Sequence, residues 1–356
     1  MAERTLDSLR EGIRRLDLEL VARVAERVDL ARQVGELKRR QGFSTVDYAQ
    51  ERTVIERARA VAEERGLEPA VAEDLFARII RASVIAQEED SLRVAELGVG
   101  KSAVIVGGAG RMGRWLGRFL SAQGYATGAL DPAAGREEDA WARRAFASAE
   151  LVLCCAPPAT IAELYTDWSH RPPTGVVVDV ASIKTPLIAP IRALQRVGCR
   201  VASIHPMFGP ATVLLRDADV VICDTGDAGA ASVVAALFQP TSAHLVYLPL
   251  EDHDRIMADL LSLAHATAIA FSLALPATEH PVRSTTFQVL ESVAAAVVRE
   301  SPDVYFEIQA RNPHSTAALE RLRGALDRIV AAVAAPDAKE FRALFEEGIR
   351  RTQTGR

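Results

Sequence analysis

The first quarter of the chain carries a hydrophobic pattern with the period of an α-helix. Apolar residues recur every three or four positions over the first 34 residues, and no proline occurs before Pro69. This pattern predicts one long helix over about Thr5–Arg39, followed by helices near Asp47–Arg65 and Pro69–Gln87. Because three helices enclose only a thin core, we expect this segment to dimerise.

The pattern changes at Gly98, where short apolar runs of strand length begin to alternate with helical segments. The runs are Lys101–Gly107, Thr127–Leu130, Leu151–Ala156, Val176–Val180, Arg200–Ile204 and Val220–Cys223. Strands that alternate with helices predict a parallel sheet covered on both faces. After Pro249 the strand signals stop, and the remaining sequence has a helical pattern rich in Ala, Leu and Val.

The chain is therefore predicted to be multidomain. We expect an all-α domain over residues 1–92, a Rossmann-type α/β domain over 98–249 and an all-α dimerisation domain over 250–356. The segment Glu88–Gly100 is the predicted boundary between the first two. The length of 356 residues agrees with two or three domains of roughly 150 residues.

Composition and charge narrow the class of protein. The apolar fraction of 49% and the charged fraction of 25% are typical of a soluble globular protein. A net charge of -5 argues against nucleic acid as the main partner, since a phosphate-binding surface needs a basic excess. The cysteines show no CxxC spacing and are predicted to be reduced thiols in a cytoplasmic protein, and the charged N-terminus is unlike a signal peptide.

One apolar stretch raises the question of a membrane. Leu260–Ala277 contains no charged residue apart from His265, and it is just long enough to span a bilayer. Ser262 and Thr267 interrupt it, however, and Pro276 closes it. We therefore expect no membrane partner and predict a helix that is buried inside a larger assembly.

A glycine-rich turn follows the first predicted strand and opens a predicted helix. Residues 108–113 have the GxGxxG spacing, in which the glycines permit a tight turn, close approach of a pyrophosphate and close helix packing. Asp131 ends the next run, where a carboxylate binds ribose hydroxyls. The absence of an arginine directly after Asp131 favours NAD over NADP, although Arg136 lies close by. The predicted cofactor-binding residues are Gly108, Gly110, Arg111, Met112, Gly113 and Asp131.

Two polar turns end successive predicted strands. One runs from Asp179 to Lys184 with the sequence DVASIK, and the other begins at Ile204 with the sequence IHPMFGP. Because ligands bind beyond the carboxyl ends of parallel strands, both turns are expected to face the nicotinamide half of a dinucleotide. His205 is the candidate base near neutral pH, with Ser182 and Lys184 on the other turn.

These motifs resemble the prephenate dehydrogenase family over roughly Lys101–Arg351. The matching pieces are GGAGRMG, DVASIK, IHPMFGP and Asp252-His253-Asp254, of which IHPMFGP is the most specific. The resemblance implies NAD-dependent oxidation of prephenate to 4-hydroxyphenylpyruvate and carbon dioxide. It further implies that His205 accepts the proton of the ring hydroxyl, that Ser182 bonds this hydroxyl or orients the imidazole, and that Lys184 adds positive charge.

The resemblance extends into the helical domain with one departure. His265 matches a family histidine that faces the substrate, but Gln288 stands after Phe287 where an arginine for the substrate carboxylate is expected. A guanidinium binds a carboxylate bidentately and an amide does not, so prephenate and arogenate both remain open as substrates. Nearby arginines that could substitute are Arg283, Arg299 and Arg311.

Charged and polar residues of the first helices indicate a second site. Arg27 and Lys38 are 11 residues apart in a predicted helix, so they point the same way, roughly 16 Å apart along its axis. Arg10 lies about 25 Å from Arg27 on a different face, so it suits the site of an antiparallel partner chain. Two pairs with i,i+4 spacing each share a helix face, Asp47 with Glu51 and Ser83 with Gln87.

With these residues, the segment from about 5 to 90 resembles the all-helical chorismate mutase family. That family catalyses a Claisen rearrangement, which needs two clamped carboxylates and positive charge near the ether oxygen. The implied roles are carboxylate clamping by Arg10 of the partner subunit and Arg27, contact with the ether oxygen by Lys38 and Gln87, and a bond to the substrate hydroxyl by Glu51, with Asp47 and Ser83 alongside. Gln50 stands where the family usually has arginine, so we expect reduced rather than absent activity.

Together the two resemblances predict a bifunctional, homodimeric, cytoplasmic enzyme of tyrosine biosynthesis. Chorismate is rearranged to prephenate at the first site and prephenate is oxidised with NAD at the second; no metal is expected. Three alternatives stay open. The dehydrogenase substrate could be arogenate or a 4-amino-4-deoxy analogue, the mutase could be a degenerate dimerisation arm, or the chain could be a non-catalytic NAD-binding regulator.

Overall fold

The computed structural model describes residues 5–43, 47–276 and 282–353. Within them, helices come first, a mixed helix and strand region follows, and helices again occupy the C-terminal part. This order confirms the predicted fold class. By their internal contacts the residues form two compact units, the first comprising Met1–Cys155, Arg171–Val180 and Val197–Tyr247, and the second Ala156–His170, Ala181–Arg196 and Leu248–Arg356.

Three helices open the first unit, α1 (Leu6–Arg40), α2 (Tyr48–Glu64) and α3 (Pro69–Ala95). Thr5 caps α1 by accepting a hydrogen bond from the Ser8 amide at 3.2 Å. Asp47 caps α2 through the Gln50 amide at 3.0 Å. These caps satisfy amides that have no partner within their helix. Helix α3 packs against both α1 and α2.

Helix α3 is longer than predicted. It continues from Gln87 to Ala95, through the segment expected to be a domain boundary. Leu92 and Leu97 pack against the hydrophobic core of the sheet, and Glu88 is buried. Contacts with distant parts of the chain therefore stabilise the extra two turns, and a helical period in the local sequence cannot show them.

A seven-stranded sheet follows, in the order β2-β1-β3-β4-β5-β6-β7. Its strands are β1 (Ser102–Val106), β2 (Ala126–Leu130), β3 (Leu151–Cys154), β4 (Val176–Asp179), β5 (Arg200–Pro206), β6 (Asp219–Asp224) and β7 (His244–Pro249). The first five strands pair in parallel, with Val104 opposite both Gly128 and Val152. The chain goes from β1 to β2 on one side and then to β3 on the other, which makes the end of β1 a switch point where ligands bind.

The expectation of an all-parallel sheet is wrong at one edge. Strand β6 pairs antiparallel with β5, with His205 opposite Val221. A parallel neighbour requires a crossover connection, usually a helix, and the segment 207–218 between these strands contains none. Strand β7 was not predicted, because its side chains are only partly buried or exposed.

Helices of the first unit cover the sheet. Helices α4 (Arg111–Ala122) and α5 (Arg136–Ala145) pack against β1 and β2, and α8 (Ala228–Phe238) packs against β5 and β6. Aromatic rings join these layers, since the rings of Trp115 and Phe238 both lie within about 5 Å of the Phe119 ring, centroid to centroid. Helices α4 and α8 therefore share one aromatic cluster in the core of this unit.

The second unit is helical. It contains α6 (Pro158–Trp168) and α7 (Ile188–Arg196), which pack together, and the C-terminal helices α9 (His253–Met257), α10 (Ala264–Ala274), α11 (Thr285–Val298), α12 (Pro302–Arg311), α13 (Ser315–Ala334) and α14 (Lys339–Gln353). A π-helical segment, Ala258–Leu263, joins α9 to α10. Gln309 donates to the carbonyl of Ser262 at 2.9 Å and so satisfies part of this irregular backbone.

The apolar stretch near residue 260 forms part of a continuous helix, and its last predicted residue, Ala277, lies outside the described residues. The helix from His253 to Ala274 is long and apolar enough to cross a membrane by length and composition alone, and 22% of its most apolar window is buried within the chain. Core helices of soluble proteins pass the same test. Its exposed apolar residues, including Leu260 and Leu273, leave most of this surface without cover in a single chain.

Candidate functional site

A pocket lies among the three N-terminal helices. Its volume is about 280 Å³, close to the lower end of about 300 Å³ that is usual for small-molecule sites. The lining residues include six that were predicted from the sequence, namely Arg27, Lys38, Asp47, Glu51, Ser83 and Gln87. The tertiary structure thus brings to one cavity the residues that helical spacing had placed on single faces of α1, α2 and α3.

Polar contacts hold the two cations of the pocket in place. Arg27 donates to the hydroxyl of Ser83 at 2.7 Å, and Ser83 is buried. The ammonium of Lys38 lies 3.6 Å from the carboxylate of Asp47. The backbone amide of Gln50, together with Lys38, lowers the pKa of Asp47 below its usual value. The pocket is therefore charged and pre-arranged before any ligand enters.

Gln87 reaches the pocket across an unusually close helix contact. Its amide nitrogen donates to the carbonyl of Ala31 at 2.5 Å. Gly35 is buried against it, and a Cβ added at Gly35 would lie 3.0 Å from Gln87 Cγ. In the sequence Gly35 only weakens a helical pattern; in the structure its missing side chain is what lets α1 approach Gln87.

Arg10 does not join this pocket within one chain. It is exposed near the start of α1 and lies 3.9 Å from Asp7 in a loose ion pair. Arg27 and Lys38 lie in the C-terminal half of the same helix, at the distance from Arg10 that the helical rise predicts.

Glu51 has a partner that sequence reasoning missed. Arg216, in the segment between β5 and β6, places its Nη1 atom 2.8 Å and 2.7 Å from the two carboxylate oxygens of Glu51. Burial lowers the pKa of Arg216, but hydrogen bonding and charge from Glu51, with a smaller effect of Tyr48, raise it above its usual value overall. Nothing in the sequence pattern links residues 165 positions apart.

The glycine turn forms a close-fitting cradle at the switch point of the sheet. Gly107 has a φ of +77°, and a Cβ at Gly108 would lie 2.5 Å from the Cβ of Ala129. A Cβ at Gly113 would collide with the backbone of Gly107 and Gly108. Gly110 is the N-cap of α4 and has no side chain to occupy the helix N-terminus, which leaves room for an anion there. Arg111 and Met112 follow as the first residues of α4.

Asp131 lies beside this cradle. Its carboxylate accepts hydrogen bonds from the amide of Ala109 at 3.1 Å and from the amide of Ala133 at 2.8 Å. Ala109 belongs to the glycine turn itself, so the acidic side chain and the turn are fixed to each other. A dinucleotide whose pyrophosphate rests on α4 and whose ribose meets Asp131 fits this donor and acceptor set.

His205 lies in the last residues of β5, at the carboxyl end of that strand. Its side chain is 5% exposed. The ring of Phe208, three residues on, packs at a tilt of 60° against that of Trp115 in α4, with centroids 5.0 Å apart. The IHPMFGP segment is thereby packed onto the helix that begins at the glycine cradle.

In the second unit, Lys184 is fully buried and its turn is anchored by an acid. The amides of Lys184 and Thr185 donate to the two carboxylate oxygens of Asp254 at 2.8 Å and 2.7 Å. Burial raises the pKa of Asp254, but hydrogen bonds from His253 and from this turn outweigh it, so the pKa lies below its usual value. Ser182, in the same turn, is partly exposed. The motif Asp252-His253-Asp254 therefore has a structural role, since Asp254 anchors the turn that carries Lys184.

The remaining predicted substrate residues lie on the C-terminal helices. His265, on α10, has its ring edge against Tyr305 at 4.4 Å between centroids, and burial lowers its pKa. Gln288, on α11, is exposed. Of the arginines suggested as substitutes, Arg283 is paired with Glu291 and Arg311 with Glu307.

Comparison with known proteins shows which families two regions of the chain match. Residues 9–88 match the family model of chorismate mutase type II, and residues 126–247 match that of the prephenate dehydrogenase nucleotide-binding domain. The T-protein of Enterobacter agglomerans is 27% identical over 350 residues, which cover 96% of this chain and 91% of that protein. The chain joins a chorismate mutase domain to a prephenate dehydrogenase domain.

Two further similarities concern the dehydrogenase domain. The 4-amino-4-deoxyprephenate dehydrogenase of Streptomyces pristinaespiralis is 28% identical over 264 residues, covering 68% of this chain and 88% of that protein. The structure of prephenate dehydrogenase from A. aeolicus, in complex with hydroxyphenyl propionate and NAD+, matches with a TM-score of 0.56 and 18% identity, covering 71% of this chain and 98% of that one. This likeness shows the fold. The match to a nucleotide-binding domain confirms the predicted nucleotide cofactor.

Proposed function

We propose that this chain is a bifunctional enzyme of tyrosine biosynthesis. It converts chorismate to prephenate in the mutase pocket and oxidises prephenate with NAD⁺ to 4-hydroxyphenylpyruvate, carbon dioxide and NADH. The observation that carries the proposal is the pocket that gathers Arg27, Lys38, Glu51 and Gln87 in a chain that also holds the glycine cradle with Asp131. The resemblance to a T-protein over nearly the whole chain supports the same pairing.

The mutase step needs placement and charge and no acid, base or nucleophile. Arg27, held by Ser83, meets one substrate carboxylate. Gln87 carries two amide hydrogens, of which one is donated to Ala31 and the other is available to the ether oxygen. Lys38 adds positive charge where the breaking C–O bond gathers negative charge.

In the dehydrogenase step, His205 is the residue that accepts and returns a proton. A bound nicotinamide supplies the hydride acceptor. His205 takes the proton of the ring 4-hydroxyl while hydride leaves the carbon that bears this hydroxyl. Loss of the ring carboxylate as carbon dioxide then makes the ring aromatic, and the protonated His205 returns its proton to the resulting phenolate oxygen. Ser182 bonds the hydroxyl or orients the imidazole, Lys184 contributes positive charge and His265 faces the substrate.

The functional unit in this proposal is a cytoplasmic homodimer. Large apolar side chains along the first half of α1, among them Leu6, Ile13 and Leu16, are more than half exposed in one chain. An antiparallel second copy of α1 would cover them and bring Arg10 of the partner subunit to the pocket. Mixing Arg10→Ala and Arg27→Ala proteins tests this, because heterodimers regain one complete site; random exchange should recover about a quarter of wild-type mutase activity. No recovery after verified exchange refutes the arrangement.

A coupled assay tests the bifunctional proposal. Purified protein given chorismate and NAD⁺ should produce NADH, and given prephenate it should do so without the first step. His205→Asn should abolish NADH formation and leave the disappearance of chorismate unchanged, because the two steps use different residues. Equal loss of both activities in that variant contradicts the assignment, and failure of both wild-type reactions refutes the function.

Two observations favour arogenate or 4-amino-4-deoxyprephenate as an alternative substrate of the dehydrogenase. Gln288 stands where an arginine was expected, and one relative of this domain is named as a 4-amino-4-deoxyprephenate dehydrogenase. Arogenate carries an ammonium group beside its side-chain carboxylate, and a neutral amide avoids the like-charge repulsion that a guanidinium would meet there. In 4-amino-4-deoxyprephenate an amino group replaces the ring hydroxyl, so that substrate is supported by the relative alone. Comparing kcat/KM for prephenate, arogenate and 4-amino-4-deoxyprephenate decides between them, and the highest value identifies the substrate.

A further inference from the structure

We propose that Arg216, a residue of the dehydrogenase domain, is a positioning residue of the mutase site. It holds the carboxylate of Glu51 in place and offsets its charge. This inference rests on the proposed mutase activity of the pocket among α1, α2 and α3. It assigns to the connection between β5 and β6 a role in the reaction of the other domain.

The contact between Arg216 and Glu51 is sheltered. The side chain of Arg216 is 15% exposed and that of Glu51 is 20% exposed, and one guanidinium nitrogen lies within 2.8 Å of both carboxylate oxygens. The guanidinium also stacks over the ring of Tyr48, 4.6 Å from its centroid. Ion pairs that are partly withdrawn from water are stronger and better oriented than those on an open surface.

The segment that carries Arg216 is fixed from several sides. The buried carboxylate of Glu88, on α3, accepts from the amide of Leu215 at 3.0 Å and from that of Ser242 at 2.8 Å. Leu214 packs against Ile80 and Val84, which line the pocket. Arg216 is therefore presented by a rigid backbone.

The same segment is tied to the nucleotide-binding helix. Trp115 of α4 donates its indole N–H to the carbonyl of Thr212 at 2.8 Å, and the hydroxyl of Tyr48 on α2 donates to Asp217 at 3.0 Å. The connection between β5 and β6 thus has one anchor on the helix that follows the glycine cradle and another on the helix that carries Glu51. It is a structural component of both domains.

Charge balance explains what Arg216 contributes to the reaction. The side chains lining the pocket include the cations Arg27 and Lys38 and the anions Asp47 and Glu51, so their formal charges cancel. Chorismate carries two carboxylates. Arg216 pairs with Glu51, and its Nε also lies 3.7 Å from Asp217, so the ion pair reduces the negative charge that Glu51 presents to the dianion. The ion pair with Arg216 also fixes the orientation of the Glu51 carboxylate.

The test compares three full-length variants, Arg216→Gln, Arg216→Lys and Tyr48→Phe. Tyr48→Phe is the matched control, because it removes a hydrogen bond between the same two segments and leaves the ring and the Glu51 pair. Steady-state kinetics on chorismate and on prephenate with NAD⁺, and thermal unfolding, are measured for each. The dehydrogenase rate of each sample shows that the protein is folded.

For Arg216→Gln we expect kcat/KM on chorismate to fall about 10- to 100-fold, as for loss of one charged hydrogen bond, mainly through a higher KM. Dehydrogenase kinetics should stay unchanged, Arg216→Lys should recover part of the loss, and Tyr48→Phe should stay within about twofold of wild type. Equal mutase kinetics in Arg216→Gln and Tyr48→Phe, or parallel losses of both activities, overturn the inference. Absence of mutase activity in the wild type instead refutes the proposed function, and this inference with it.

Discussion

Gly35 provides the sharpest test of how the mutase pocket is built. The change Gly35→Ala adds one methyl group to a buried position of α1, where the new Cβ would lie 3.0 Å from Gln87 Cγ, 3.3 Å from Gln87 Cδ and 3.4 Å from a guanidinium nitrogen of Arg39. Contacts of 3.0 Å are too short for two carbon atoms, so Gln87 has to move by a few tenths of an ångström.

Two effects of opposite sign follow for stability. Alanine in place of glycine within a helix stabilises by about 1 kcal/mol, because the unfolded chain loses conformational freedom. Overpacking costs about 1–3 kcal/mol where neighbours cannot relax. We therefore expect Gly35→Ala to leave the thermal midpoint nearly unchanged or slightly lower. The matched control is Gly348→Ala in α14, where the added Cβ meets nothing within 4 Å.

The expected effect on activity is larger and specific to the mutase. Displacing Gln87 disturbs its bond to Ala31 and its proposed contact with the ether oxygen. Misplacement of a positioning group by a fraction of an ångström should lower kcat about tenfold. The dehydrogenase rate on prephenate serves as the internal reference. Gly348→Ala should raise the midpoint by about 2 °C and leave both rates unchanged. A Gly35→Ala enzyme with wild-type kcat and KM on chorismate would refute this account of the pocket.

Three further outcomes are expected. Asp131→Ala should raise KM for NAD⁺ about 10- to 100-fold through loss of charged hydrogen bonds, with mutase kinetics unchanged; an unaltered KM contradicts its role. Asp254 has a lowered pKa, so its contribution to stability is present above the unfolded value of about 3.9 and disappears as pH falls through the folded value; Asp254→Asn should therefore lower the thermal midpoint at pH 7, and the difference from wild type should shrink in acid. A constant difference from pH 7 to acid opposes this. Burial raises the pKa of Cys199 to about 11, so the native thiol should resist iodoacetamide at pH 8, and rapid labelling detected by mass spectrometry counts against it.

The local sequence was sufficient to predict the relative positions of side chains that lie on one helix or in one turn. The helical repeat alone puts Arg27 and Lys38 on one side of α1 and makes Arg10 too distant to join them. The GxGxxG spacing locates the turn in the sequence, because only glycine fits where two backbone segments come close, as at Gly108. The domain order follows from the change between the periods of helix and strand. The functional roles assigned to these residues remain predictions.

Other features depend on contacts between distant segments. Strand β6 runs antiparallel to β5 although its sequence reads like the other buried strands. Helix α3 extends past Gln87 because Leu92 packs on the core of the sheet. Local periodicity describes one element at a time, so it contains no information about which partner an element meets.

In the mutase pocket, too, some features follow from the local sequence and others from contacts between distant segments. The sequence by itself predicted which residues would line the pocket, since residue type and helical spacing set the charges and the faces of α1, α2 and α3. Only the tertiary structure decided how close those faces come and what completes them. Gly35 sets the approach of α1 to Gln87, and Arg216 meets Glu51 from 165 positions away. Both depend on packing between elements, and packing is a property of the folded chain.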